Sequence, residues 1–143
     1  MGKINFKELF QRNSQLNHEY EIGDYFPDSI TLLRPNHENP VLLGYISLTC
    51  KSCVDMLPAL ITEFKQFPGD VQLYTDGHNE ENEELSRHFK PGFPILYLSA
   101  IEQKDIHKVF ATPFVYRLDS NRMIEGSGVI HSIDDLDRII NQN

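Results

Sequence analysis

The chain has 143 residues, 40% of them apolar and 24% charged. That length suits one domain, and roughly 70% of the unfolded chain's surface can be buried without disulfide staples. Thirteen Lys and Arg against 21 Asp and Glu leave a formal charge of −8, which works against nucleic acid and anionic lipid as partners.

Residues 1–20 are largely polar, with one short apolar cluster of Phe6, Leu9 and Phe10, whose helical spacing predicts a short helix or a loose arm ahead of a domain over residues 21–143. The start, Met1 to Phe6, has no apolar h-region, so a cytoplasmic protein is expected, or one from which a leader or anchor was trimmed. Glu21 to Leu33 holds Gly23-Asp24 and Pro27-Asp28 and then an apolar stretch, which predicts a turn leading into a first short strand. Arg34 to Pro40 reads as a loop. Val41 to Leu48 is nearly all apolar, the pattern of a strand buried on both faces.

The period then changes. Val54, Leu57, Leu60, Ile61, Phe64 and Phe67 recur at three- and four-residue steps, predicting an amphipathic helix that Pro68-Gly69 closes. Val71 to Thr75 reads as a strand, and Asn79 to Lys90 as an acidic helix stopped by Pro91-Gly92. Its charge run, Asp76 to Glu84, reads as a solvated helix face. A further apolar stretch follows at Pro94 to Leu98, then a helical segment over Ile106 to Phe110. Phe114–Leu118 and Met123–Gly126 flank Asp119-Ser120-Asn121, a hairpin turn. Ser132 is placed to cap a last helix carrying Ile133, Leu136, Ile139 and Ile140. None of these runs approaches the ~18 apolar residues of a membrane helix. Strands alternating with helices and ending in a hairpin imply a three-layer α/β domain with a mixed sheet.

Two cysteines, Cys50 and Cys53, are all the chain has. They are spaced C-x-x-C where a buried strand gives way to a helix. The first turn of a helix leaves backbone N–H groups unpaired and carries the positive end of its dipole. A thiolate at Cys50 would be stabilised there, with Lys51 adding Coulomb help, and such sites lower a cysteine pKa from about 8.5 to roughly 3.5–7.5. The thiolate is the attacking species in thiol–disulfide exchange, and a second thiol one turn inward can resolve the mixed disulfide. Cys50 is accordingly the expected nucleophile and Cys53 the resolving thiol, with no cofactor required. Half a zinc site is the alternative reading of C-x-x-C, but no second C-x-x-C or H-x-x-x-H completes four ligands. Two inert core thiols are the other.

The run from Val41 through Cys50-Lys51-Ser52-Cys53 to Pro58 resembles the active-site strand and helix of the thioredoxin superfamily, Pro58 matching the proline inside that helix. Ala111-Thr112-Pro113-Phe114, leading into Val115 to Asp119, is similar to the segment that holds the family's cis-proline. The resemblance implies a thioredoxin-like α/β/α sandwich, a cis Thr112–Pro113 bond, and a Thr112 backbone that pairs with an incoming substrate chain. Read without it, Pro113 is an ordinary trans proline opening an edge strand. Thr49 and Lys51, flanking Cys50, join Thr112 and Pro113 as expected substrate-contacting residues. Ile22-Gly23-Asp24, Pro27-Asp28 and the segment Gly92 to Phe110 resemble TlpA-like and peroxiredoxin-like members. Ser47-Leu48-Thr49-Cys50 and the ending from Gly126 to Leu136 are similar to the MauD-like subgroup.

What the resemblance implies is a monomeric thiol–disulfide oxidoreductase, acting as a reductant on protein or peptide disulfides and recharged by an upstream thiol donor. The sequence departs from the family at several positions. Thr49 stands where thioredoxin has Trp, Lys51-Ser52 where it has Gly-Pro, and Gly44 where it buries an acid, so the proton acceptor for Cys53 has no counterpart. Peroxide reduction is a second implied activity, with Ser47 supplying a hydroxyl but Leu43 standing where the peroxidatic pattern has proline. A binding module with non-catalytic cysteines is the third.

Overall fold

The computed structural model describes residues 18–30, 32 and 38–141. The expected helix or arm on Phe6, Leu9 and Phe10 lies outside them. The centre of the fold is strand β1 (Val41–Ile46), buried along its whole length, which is why its sequence shows no polar alternation. β1 pairs in parallel with β2 (Asp70–Thr75) and antiparallel with β4 (Phe114–Leu118). β3 (Ile95–Tyr97) extends the sheet in parallel beyond β2, and β5 (Ile124–Val129) closes it antiparallel to β4. The order β3-β2-β1-β4-β5 is the mixed sheet expected.

Helices α1 (Lys51–Lys65), α2 (Asn79–Phe89), α3 (Ala100–Asp105) and α4 (Ile133–Asn141) complete the element order. The sheet separates two apolar cores. On one face Leu42, Ile46, Leu73 and Val115 pack with Leu57, Leu60, Ile61 and Phe64 of α1, Leu136 of α4, and Leu85 and Phe89 of α2. On the other, Leu43, Tyr45, Tyr74, Phe114 and Tyr116 pack under Phe26, Ile30, Leu32 and Val109. This is the three-layer α/β/α sandwich.

One expectation is corrected. The helix placed at Ile106–Phe110 lies earlier, at α3, because Ser99 and Glu102 form a reciprocal cap. The Ser99 hydroxyl accepts from the Glu102 N–H at 3.1 Å, and the Glu102 carboxylate accepts from the Ser99 N–H at 3.3 Å. Past Ile106 the chain turns, with Lys108 at φ 56°. The first short strand, expected within Glu21 to Leu33, lies partly outside the described residues. Among those described, Tyr25 makes a single bridge to Met123, and Ile30 and Leu32 are buried. Arg122 anchors this segment, donating to the carbonyls of Pro27 at 2.6 Å and Ile30 at 2.8 Å.

Candidate functional site

β1 ends at Ile46 and α1 begins at Lys51, so residues 47–50 form a tight loop at the C-terminal end of the sheet. Cys50 is the N-cap of α1, and its sulfur accepts the Cys53 backbone N–H at 3.4 Å, one of the N–H groups that a helix start leaves unpaired. The Ser52 hydroxyl lies 3.2 Å from the same sulfur. From across the cleft the Thr112 carbonyl stands 3.9 Å away, and the peptide joining Thr112 to Pro113 is cis. Cys50 is half-buried, whereas Cys53, one turn inward, is fully buried.

Hydrogen bonding from the Cys53 thiol and then from the Ser52 hydroxyl lowers the Cys50 thiol to about 7, against a smaller cost of partial burial. The Cys53 backbone and Thr112 add to the lowering. Burial dominates at Cys53, and donation to Cys50 adds to it, raising that thiol to about 11. Near neutrality roughly half of Cys50 is therefore thiolate while Cys53 keeps its proton. The two thiols are differentiated, one ionising near neutrality and the other held protonated.

Of the residues expected at the site, Cys50, Cys53 and Thr112 converge at these distances, and Pro113 is buried beside them. Thr49 is exposed, its hydroxyl 2.9 Å from that of Ser47. Lys51 is exposed at the first position of α1. Its charge is not among the causes that lower Cys50, which are hydrogen bonds, so the Coulomb help expected of it is not what differentiates the thiols. Gly44 has no room for an acid: a Cβ there would lie 2.8 Å from the Phe64 ring and 3.2 Å from Leu73.

One carboxylate that contacts the loop comes from elsewhere. Asp76, the residue after β2, accepts from the Ser47 hydroxyl at 2.6 Å and from the Leu48 N–H at 2.8 Å. Reading the acidic run as a solvated helix face missed it. The signal lies in the register: Ile46 pairs in parallel with Thr75, so the next residues along, Ser47 and Asp76, leave the sheet side by side. The Ser47 hydroxyl, which the peroxide reading offers to a reacting peroxide, donates instead to Asp76.

The comparisons with known proteins bear on the fold. No protein-family model matches the sequence, and no curated protein matches it. Solved structures do. The thioredoxin domain of a thiol–disulfide oxidoreductase from Bacteroides vulgatus matches with a TM-score of 0.62 at 16% identity, covering 86% of this chain and 100% of that one. The chain has the thioredoxin fold. A putative thiol:disulfide interchange protein from Chlorobium tepidum matches with a TM-score of 0.62 at 15% identity, over 82% of this chain and 92% of that one. A hypothetical protein from Sinorhizobium meliloti gives 0.63 at 18%, over 78% and 72%. Within the thioredoxin fold, the loop carrying Cys50 and the segment carrying cis-Pro113 face each other at the C-terminal end of β1. Among the described residues no helix is long and apolar enough to cross a membrane.

Proposed function

We propose that this protein is a thiol–disulfide oxidoreductase that reduces protein or peptide disulfides. The observation that carries the reading is the pair of unlike thiols, Cys50 lowered to about 7 at a helix start and Cys53 raised to about 11 beneath it. The Cys50 thiolate attacks one sulfur of the substrate disulfide, forming a mixed disulfide and releasing the other sulfur as thiolate. Cys53 then gives up its proton, which ends on the substrate thiolate already released, and attacks the Cys50 sulfur. That closes the Cys50–Cys53 disulfide and releases the second substrate sulfur as thiolate. The substrate gains two electrons, the protein loses two, and an upstream thiol donor restores the dithiol.

The Thr112 backbone beside Cys50 supports docking of an extended substrate segment there, with Thr49, Lys51 and Pro113 as the surrounding surface. A nucleophile near 7 supports the reducing direction, since strong oxidants of this chemistry hold theirs near about 3.5. The thioredoxin domain of a thiol–disulfide oxidoreductase and a protein described as a thiol:disulfide interchange protein share the fold, which agrees with the same activity. We place the protein in a reducing compartment such as the cytoplasm, acting as a monomer.

The test is the equilibrium potential of the Cys50–Cys53 couple against glutathione, with turnover of a disulfide-bonded protein as its companion. A potential near about −270 mV and turnover abolished by Cys50→Ser are expected. A potential near about −120 mV would overturn the reducing direction, and turnover no faster than the donor alone would overturn the activity.

A further inference from the structure

We propose that Asp76 is a positioning residue for the Cys50–Cys53 pair, acting by holding the Ser47–Thr49 loop against the end of β2. This rests on the function proposed above and adds a residue to its machinery. Asp76 touches neither thiol in the structure. Its two bonds instead fix consecutive residues of the loop, one through the Ser47 side chain at 2.6 Å and one through the Leu48 backbone at 2.8 Å. Charge-assisted bonds of this length are the stronger kind. From Ser47 the constraint passes to both cysteines. The Ser47 carbonyl accepts the Cys50 N–H at 3.1 Å, and the Ser47 backbone acts on the Cys53 thiol, favouring its ionised form. The Ser47 hydroxyl also receives the Thr49 N–H at 3.3 Å.

The support behind Asp76 is itself built. The buried Thr75 hydroxyl donates to the Asn82 side-chain oxygen at 2.5 Å and accepts the Gly77 N–H at 3.0 Å, and the Asn82 amide returns to the Gly77 carbonyl at 3.1 Å. Asn82 is buried on α2, so the turn bearing Asp76 is tied to a helix on one side and to a strand on the other. A Cβ at Gly77 would sit 2.3 Å from a Leu48 methyl, so the turn lies directly against the loop it holds. A solvated surface carboxylate has no need of such a mount. The arrangement sets where the Cys50 sulfur stands relative to the first-turn N–H and the Ser52 hydroxyl that stabilise its thiolate.

The pH dependence of iodoacetamide alkylation reads the Cys50 midpoint directly, and thermal unfolding reads stability beside it. The wild-type midpoint is expected near 7. Asp76→Ala, which frees both arms of the loop, is expected to raise it by at least about half a unit, slowing alkylation at pH 6.5 about threefold. Asp76→Asn keeps an acceptor for Leu48 and is expected to move the midpoint in the same direction by less. Ser47→Ala removes the other arm and should also raise it. A folded Asp76→Ala protein whose midpoint is unchanged or lowered overturns the proposal, because a merely structural carboxylate shifts melting alone and a mere charge shifts the midpoint downward. Should Asp76→Ala fail to fold, unmoved midpoints in both Asp76→Asn and Ser47→Ala overturn it equally. The two readings separate cleanly. Alkylation needs no substrate, so a wild-type protein without disulfide turnover refutes the function, whereas robust turnover with unmoved midpoints refutes the role of Asp76.

Discussion

His107 gives the fold an acid-sensitive side that can be worked out in advance. Its ring is 4% exposed and sits on the face of the sheet opposite α1, with the rings of Tyr74, Tyr45 and Phe26 centred 5.0, 5.3 and 5.9 Å away. Nδ1 shares a 2.6 Å hydrogen bond with the Tyr45 hydroxyl. Burial among these rings disfavours the imidazolium and lowers its pKa from 6.5 to about 4, only partly opposed by the Glu102 charge. The unfolded chain therefore binds more protons between those two values. Stability from this group is fully present above pH 6.5 and is lost as pH falls toward 4. The whole shift corresponds to about 3 kcal/mol, and between pH 8 and pH 5 about 2 kcal/mol of it disappears. A domain of this kind has roughly 5–15 kcal/mol in all. Urea denaturation of the wild type and of His107→Gln at pH 8 and pH 5 isolates the term, because carboxylates titrate alike in both proteins. The gap between the two proteins is expected to narrow by about 2 kcal/mol on acidification. A gap that stays constant within about 0.5 kcal/mol would refute the reasoning, since it would mean that the imidazole is not excluded from its charged form.

Three further outcomes follow from the site. Ser52→Ala removes a hydroxyl 3.2 Å from the Cys50 sulfur and is expected to raise the Cys50 midpoint by about one unit, the size of one hydrogen bond to a charged group; an unmoved midpoint in the same alkylation assay would show that the hydroxyl does not donate. Gly44→Asp, which installs the acid that thioredoxin buries, forces a Cβ to 2.8 Å from the Phe64 ring and leaves a carboxylate without a partner. A loss above about 3 kcal/mol is expected in denaturant titration, and a variant as stable as the parent would contradict the packing described. Tyr116→Phe removes a buried hydroxyl that donates to the His107 and Lys108 carbonyls at 3.0 and 3.1 Å and accepts the Tyr20 N–H at 3.2 Å. It is expected to cost about 1–3 kcal/mol in the same titration, and a change below about 0.5 kcal/mol would contradict it.

Legibility in the sequence followed the range of the interactions. β1, α1, β2 and α2 were readable within a residue or two because their patterns are local: a continuous apolar run, then apolar residues at three- and four-residue steps. The hairpin was readable from Asp119, whose carboxylate accepts the N–H groups of Asn121 at 2.8 Å and Met123 at 2.9 Å. The two cysteines and Pro113 were legible through their spacing and resemblance. α3 starts where the capping signature Ser99-Ala100-Ile101-Glu102 sets it, ahead of the apolar residues Ile106 to Phe110 on which the expected helix rests. Asp76 and His107 were lost for a different reason. Asp76 meets Ser47 from 29 positions away, and His107 meets Tyr45 from 62, so only strand register and topology bring them together. The segment near Ile30 is anchored by another long-range contact, from Arg122 to the carbonyls of Pro27 and Ile30.

The most direct measurement of the central claim is the trapping of a reaction intermediate. Cys53→Ser protein incubated with a disulfide-bonded substrate protein should accumulate a covalent adduct that survives without reductant, and mass spectrometry should map the linkage to Cys50. Cys50→Ser, with only the buried Cys53 thiol left, should form none. Absence of the adduct from the Cys53→Ser protein, or an equal adduct formed through Cys53 in the Cys50→Ser protein, would contradict the assignment of an attacking thiol at the helix start and a resolving thiol beneath it.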